Sequence, residues 1–283
     1  MRLTLAILIC AFGTAAPAQA PFASFDRASE PVLNDPYGLS LGTDGRLYVA
    51  DRIGDRIVIM DSETLEVTGT FGDNALIGVR DISFGPDGRA YAAVAGLNAL
   101  AVYWFSEGVA NLDYTLTSFP RTEGVLAHSN GRVYVMASGI GELVALENGK
   151  AVAAVRGLAG AHDVAEGPDG TIWVADNPRA RLVQFSADLE LIRTLDDPKY
   201  GFVGPRYLDF DDFGRIVVSD QDAHRVLLIE PVSGDLLGVI GDGGPGLGPG
   251  KFNSPEGVAA RGSTYYIADS DNNRVVRYVV VTN

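Results

Sequence analysis

Residues 265–276 read YYIADSDNNRVV, and the pair inside this stretch, Asp269 and Arg274, recurs at the same spacing as Asp51/Arg56, Asp176/Arg181 and Asp220/Arg225. The residues before each Asp repeat as well. The copies are GLSLGTDGRLYVAD (38–51), DISFGPDGRAYAAV (81–94), DVAEGPDGTIWVAD (163–176), LDFDDFGRIVVSD (208–220), GVAARGSTYYIAD (257–269) and, more faintly, GVLAHSNGRVYVMAS (124–138). Each is a short apolar strand, an Asp-Gly-like turn and a second strand rich in Val, Ile and aromatics. Asp44-Gly45, Asp87-Gly88, Asn130-Gly131 and Asp169-Gly170 are hairpin turns, because residues that tolerate positive φ match the twist of the flanking strands. A third strand follows, such as RIVIM (56–60) or RLVQF (181–185), and in most copies a fourth, such as EVTGTF (66–71) or LLGVI (236–240). Four antiparallel strands make one blade.

In the two weaker copies the Asp position is expected at Ala95 and Ser138. Six units result, at the ~40-residue period of a β-propeller rather than a helical solenoid. The fold class expected is therefore all-β, a six-bladed propeller over residues 21–283. The last unit stops after its third strand, which would leave an unpaired edge. The stretch PFASFDR (21–27) precedes the first full unit, alternates in polarity, and is expected to supply the missing outer strand.

The repeats also separate masonry from chemistry. Where unit two has Ala95 it has Leu100 in place of the Arg, and unit three pairs Ser138 with Leu143, so both partners are lost together. That is the behaviour of an ion pair across the second and third strands, since removing one member alone strands a charge. The Asp-x4-Arg pair is read as structural.

The stretch GDGGPGLGPGKFNSPEGVA (241–259) followed by YYIADSDNNRVVRY resembles the NHL repeat family, whose units run from a Gly-rich linker through Pro-x-Gly-Ile/Val to an Ala-Asp-x4-Arg hairpin. The resemblance is sharp in units one, four, five and six and eroded in two and three. It implies the propeller fold, and propellers of this kind include RNA-binding modules, protein-interaction modules and lyases.

The first strand of each blade lines the central channel, so the residue before it stands at the channel mouth. Those residues are Tyr37, Arg80, Glu123, His162, Arg206 and Glu256, backed by Gly38, Asp81, Gly124, Asp163, Tyr207 and Gly257. Two readings stay open: a solvated plug in which Arg80/Glu123 and Arg206/Glu256 neutralise one another, or a ligand site. The expected partner is a small molecule, glycan or protein bound at this face by Tyr37, Arg80, Glu123, His162, Arg206, Glu256 and Tyr207, with the loops around His224 and Asn272 at its rim. Propeller lyases that this chain resembles place His in the corresponding slot of several blades, whereas here only His162 occupies one. Gluconolactonase-like propellers hold a divalent cation with Glu, Asp and Asn. By that resemblance Glu123, Glu256, Asp81 and Asp163 would bind Ca2+ or Mg2+, although no Asn occupies these slots. In an enzyme, His162 would be general acid or base and Arg80 or Arg206 would stabilise an oxyanion. His162, His224 and His128 fall at the mouth, on the same face and on the opposite face, so a three-histidine zinc site is not expected.

The N-terminal MRLTLAILICAFGTAAPAQA has an early Arg, a short apolar run and a small-x-small ending, the pattern of a secretory signal peptide cleaved after Ala20. A periplasmic or secreted protein is expected, with no membrane insertion, acting as a monomer. Cys10, the one cysteine, leaves with the leader, so no disulfide is expected and stability rests on the core. Arg2 leaves too, so 21 basic residues face 36 acidic ones, a net charge of −15. That field disfavours nucleic acid and anionic lipid.

Overall fold

The computed structural model describes residues 22–281. The proposed leader, its cleavage point and Pro21 lie outside the described residues. The strands form six four-stranded antiparallel sheets, five of them consecutive in sequence and the sixth closed by the N-terminal segment. Blade 1 illustrates the unit: Pro36–Leu41 innermost, then Leu47–Asp51, Arg56–Met60 and Val67–Phe71 outermost. In blade 6, Phe22–Ala28 pairs antiparallel with Arg274–Val281, matching Phe25 to Tyr278, so the first and last strands join the ring as the sequence leads one to expect.

Each second strand is sandwiched between the neighbouring blades, which is why LYVAD, VYVMA, IWVAD and IVVSD are buried along their whole length rather than alternating. Outer strands such as Leu191–Leu195 remain largely exposed. Aromatic contacts tie blades together: Tyr48 meets Phe84 at 4.6 Å and Phe71 meets Tyr103 at 5.0 Å, both edge to face, each worth about 1 kcal/mol beyond area burial. In the Tyr103-Trp104-Phe105 run, alternation turns Trp104 outward while Tyr103 is buried.

The four Asp-Arg pairs form as expected, with Asp–Arg distances of 2.8 Å in blade 1, 2.7 Å in blade 4, 2.8 Å in blade 5 and 2.7 Å in blade 6. In blades 1, 5 and 6 the second carboxylate oxygen accepts the backbone N–H of Asn34, Gly204 or Asn253, just ahead of the innermost strand. One carboxylate thus locks three segments. Strand register corrects the alignment in blades 2 and 3, where the equivalent pairs are Val94/Ala99 and Ala137/Glu142, one residue earlier than Ala95/Leu100 and Ser138/Leu143. With no Asp to anchor the comparison, the sequence slips by one. There the innermost strand keeps the backbone bond that blades 1 and 6 also have, Gly96 N–H to the Ile77 carbonyl and Gly139 N–H to the Pro120 carbonyl, without the carboxylate beside it.

A second set of staples links successive blades. In four of the six blades the left-handed residue ahead of the third strand offers a side-chain acceptor to the next blade: Asp55 to Gly78 N–H, Asn98 to Arg121 N–H, His224 Nδ1 to Ser254 N–H and Asn273 to Asp35 N–H; in blades 3 and 4 the residue is Gly141 or Ala180. His224 thus ties blade 5 to blade 6 through Nδ1, and its ring remains partly exposed. His128, on the opposite face, accepts from Asn130 N–H through Nδ1 and meets the Gly170 carbonyl through Nε2.

Candidate functional site

In five of the six innermost strands the pairing register jumps across the slot positions, as between Pro36 and Leu39, Pro205 and Leu208, or Pro255 and Val258. A bulge of this kind re-aims side chains. The slot residues consequently leave the alternation of the sheet and gather at one end of the channel. Gly124 belongs to the same construction, because a Cβ there would stand 2.5 Å from the His162 carbonyl of the neighbouring blade.

The six expected mouth residues do come together. Arg206 grips Glu256 through two nitrogens, at 3.0 and 2.9 Å, and a third lies 2.6 Å from His162 Nε2. Because guanidinium can only donate, Nε2 accepts and the ring proton resides on Nδ1. Among the described residues that buried atom has no partner in hydrogen-bond geometry. Arg80 Nε lies 3.5 Å from Glu123 Oε2, and its guanidinium stacks 4.6 Å from the Tyr37 ring centre. Glu123, Glu256 and His162 are almost completely buried. Tyr207 packs edge to face on Tyr37 and its hydroxyl donates to the Arg80 carbonyl from across the channel.

Three contributors escaped the sequence reading. Arg121 donates to Glu123 at 2.6 Å, Gln221 to Glu256 at 2.6 Å and Arg52 to Asp35 at 2.5 Å, with Arg52 also over the Tyr37 ring. Their signals were present: Arg121 stands two residues before Glu123, and Arg52 and Gln221 each follow a clamp Asp directly.

Burial, reinforced by Arg206, Arg121 and Arg80, pushes the His162 imidazole well below its usual range, so it is neutral at pH 7. Burial pushes Glu256 up to about 7 against the pull of Arg206. Burial works against the charge of Arg80, yet Glu123 holds its pKa above the ordinary value.

Asp81 and Asp163 lie one layer deeper and act as staples. Asp81 accepts Val125 N–H at 2.9 Å from the next blade, and Asp163 accepts Leu208 N–H at 2.9 Å. Asp209, which the slot pattern did not single out, does the same for Ala260 N–H at 2.8 Å. Burial raises Asp163 to about 7, Asp209 to about 6, and Asp81 well above its usual range with a further push from Asp163. These residues line a cavity of about 380 Å3 on the side of the Asp-Gly turns, not the mouth side.

The proposed Ca2+ or Mg2+ set does not fit this arrangement. Glu256 is engaged by Arg206 and Gln221, Glu123 lies between two guanidinium groups, and Asp81 and Asp163 are bonded to backbone amides in a deeper layer. Among the described residues no three His, Cys, Asp or Glu side chains form a metal-binding group.

No family model matches the chain, and no curated protein matches its sequence. Solved structures match in shape. A virginiamycin B lyase from Staphylococcus aureus aligns with a TM-score of 0.66 at 12% identity, covering 92% of this chain and 100% of that one. A PQQ-bound aldose sugar dehydrogenase from Streptomyces coelicolor aligns at 0.68 and 14%, covering 94% and 100%. The Cps50 (Swd1) β-propeller domain of Myceliophteria thermophila aligns at 0.63 and 13%, covering 92% and 100%. At these identities the likeness establishes the fold alone.

Proposed function

We propose that this chain is an exported, monomeric propeller of NHL type that binds a small molecule, a glycan or a protein segment at the channel mouth. One observation carries the reading. The six slots deliver their side chains into a buried polar cluster that is incompletely satisfied: among the described residues Arg80 Nε, Glu123 Oε2 and His162 Nδ1 have no hydrogen-bond partner. Buried polar groups are normally paired, and unpaired ones gathered at one end of the channel favour a ligand that completes them. The NHL-like linker and Asp-x4-Arg pattern, together with the leader-like N-terminus, support the family and the export.

A second reading, an enzyme working at the same mouth, is favoured by the lyase and the dehydrogenase among the structural neighbours. In it the neutral His162 would move a proton and Arg80 or Arg206 would steady a developing anion. A thermal-shift screen of sugars, lactones and divalent ions, with and without chelator, separates the two. The binding reading expects stabilisation that follows ligand concentration and survives chelator. Lactone turnover that disappears in His162→Ala would establish the enzyme, and indifference of the mouth to every compound would remove both.

A further inference from the structure

The mouth holds four guanidinium groups, Arg52, Arg80, Arg121 and Arg206, against three carboxylates, Asp35, Glu123 and Glu256. Arg52 is bonded to Asp35, Arg121 to Glu123 and Arg206 to Glu256. Arg80 is the one left over. Its Nε faces Glu123 at 3.5 Å, an ion pair without hydrogen-bond geometry, and among the described residues Nε has no hydrogen-bond partner. The group is nonetheless held in place, stacked on Tyr37 and with its backbone carbonyl bonded by Tyr207. Nε is buried while the side chain keeps 17% of its surface in solvent, so the terminal nitrogens are the part that faces water.

His162 adds no charge, since its Nε2 accepts from Arg206. The rim carboxylates Asp222 and Asp271 are exposed and screened by water and salt. Arg80 is thus the mouth guanidinium that no carboxylate holds by a hydrogen bond, in a chain whose net charge is −14.

We infer that the mouth takes a small carboxylic acid, whose carboxylate bridges the two terminal nitrogens of Arg80. This rests on the mouth being the binding site. The two-nitrogen fork matches two carboxylate oxygens in one plane. A phosphate dianion would bring a second negative charge beside the resident carboxylates Asp35, Glu123 and Glu256. Polyanions are repelled by the whole molecule.

The test is an NMR titration of the 15N-labelled protein at low salt with benzoate, methyl benzoate and inorganic phosphate as probes. Benzoate is expected to shift the Tyr37 and His162 amides saturably, with methyl benzoate inert and phosphate at least about tenfold weaker. Arg80→Met should weaken benzoate at least about tenfold. Arg80→Lys keeps the charge but loses the fork, and should weaken it several-fold; it decides the matter if Arg80→Met melts early. Unchanged benzoate affinity in Arg80→Lys, or phosphate binding more tightly than benzoate, overturns the assignment. If a neutral sugar shifts the mouth amides while benzoate does not, the carboxylate class fails and the mouth reading stands. If neither does, both fail.

Discussion

At the scale of single residues, the same side-chain types do two different jobs, and context tells them apart. Asp269 is fully buried and serves Arg274, Asn272 and the Asn253 amide at once. Arg274→Met should therefore destabilise the protein by roughly 3 kcal/mol, because it leaves a buried carboxylate short of its counter-charge. Urea unfolding would check this, and the Asp269→Asn/Arg274→Met double variant should cost less than the two single changes added together. Sequence comparison between repeats was enough to read this pair as structural. It could not read the mouth so fully: Arg121, Gln221 and Arg52 enter the network through loop geometry, and Asp209 staples blade 5 to blade 6 from a position the slot pattern does not mark.

At the scale of elements, the blades were legible because Asp-Gly turns punctuate them at regular intervals and the clamp Asp marks where each second strand ends. Blades 2 and 3 slipped by one residue because they lack that mark. The bulge that swings the slot residues to the mouth left no trace in composition, since it changes backbone register and not residue type. The closing strand was readable from chain economy: a three-stranded last blade needs an edge partner. Phe25 packs against Tyr278 at 5.9 Å and Asp26 bonds Arg277 at 3.0 Å. Deleting residues 22–28 should reopen the ring, lower the melting temperature sharply and promote association through the bared Arg274–Val281 edge. Added in excess, a peptide with the sequence of residues 22–28 should recover part of the melting temperature, and a deletion variant as stable and monomeric as the parent would deny the strand its closing role.

At the scale of the whole molecule, the channel concentrates acids whose burial raises their pKa values: Glu256 and Asp163 to about 7, Asp209 to about 6, and Asp81 well above its usual range. A raised folded-state pKa means the folded protein holds protons the unfolded chain has released. The stabilisation is complete below the unfolded values near 4 and is lost as pH rises through the folded ones. His162 has the opposite sign, losing stability as pH falls through about 6.5, but it is one group against four. Thermal melts should accordingly show greater stability at pH 5 than at pH 8, by about 1.4 kcal/mol per pH unit for each extra proton held. A flat or rising profile would contradict that burial. The central claim, that six blades bring their slot side chains onto one axis as a charged mouth, is tested most directly by 15N NMR of the His162 ring across pH. Gathered with Arg206, Arg80 and Arg121, His162 should remain neutral, with its proton on Nδ1, to well below pH 6.5. Titration near 6.5 with a mixture of tautomers would mean that the arginines are not there and that the mouth does not exist.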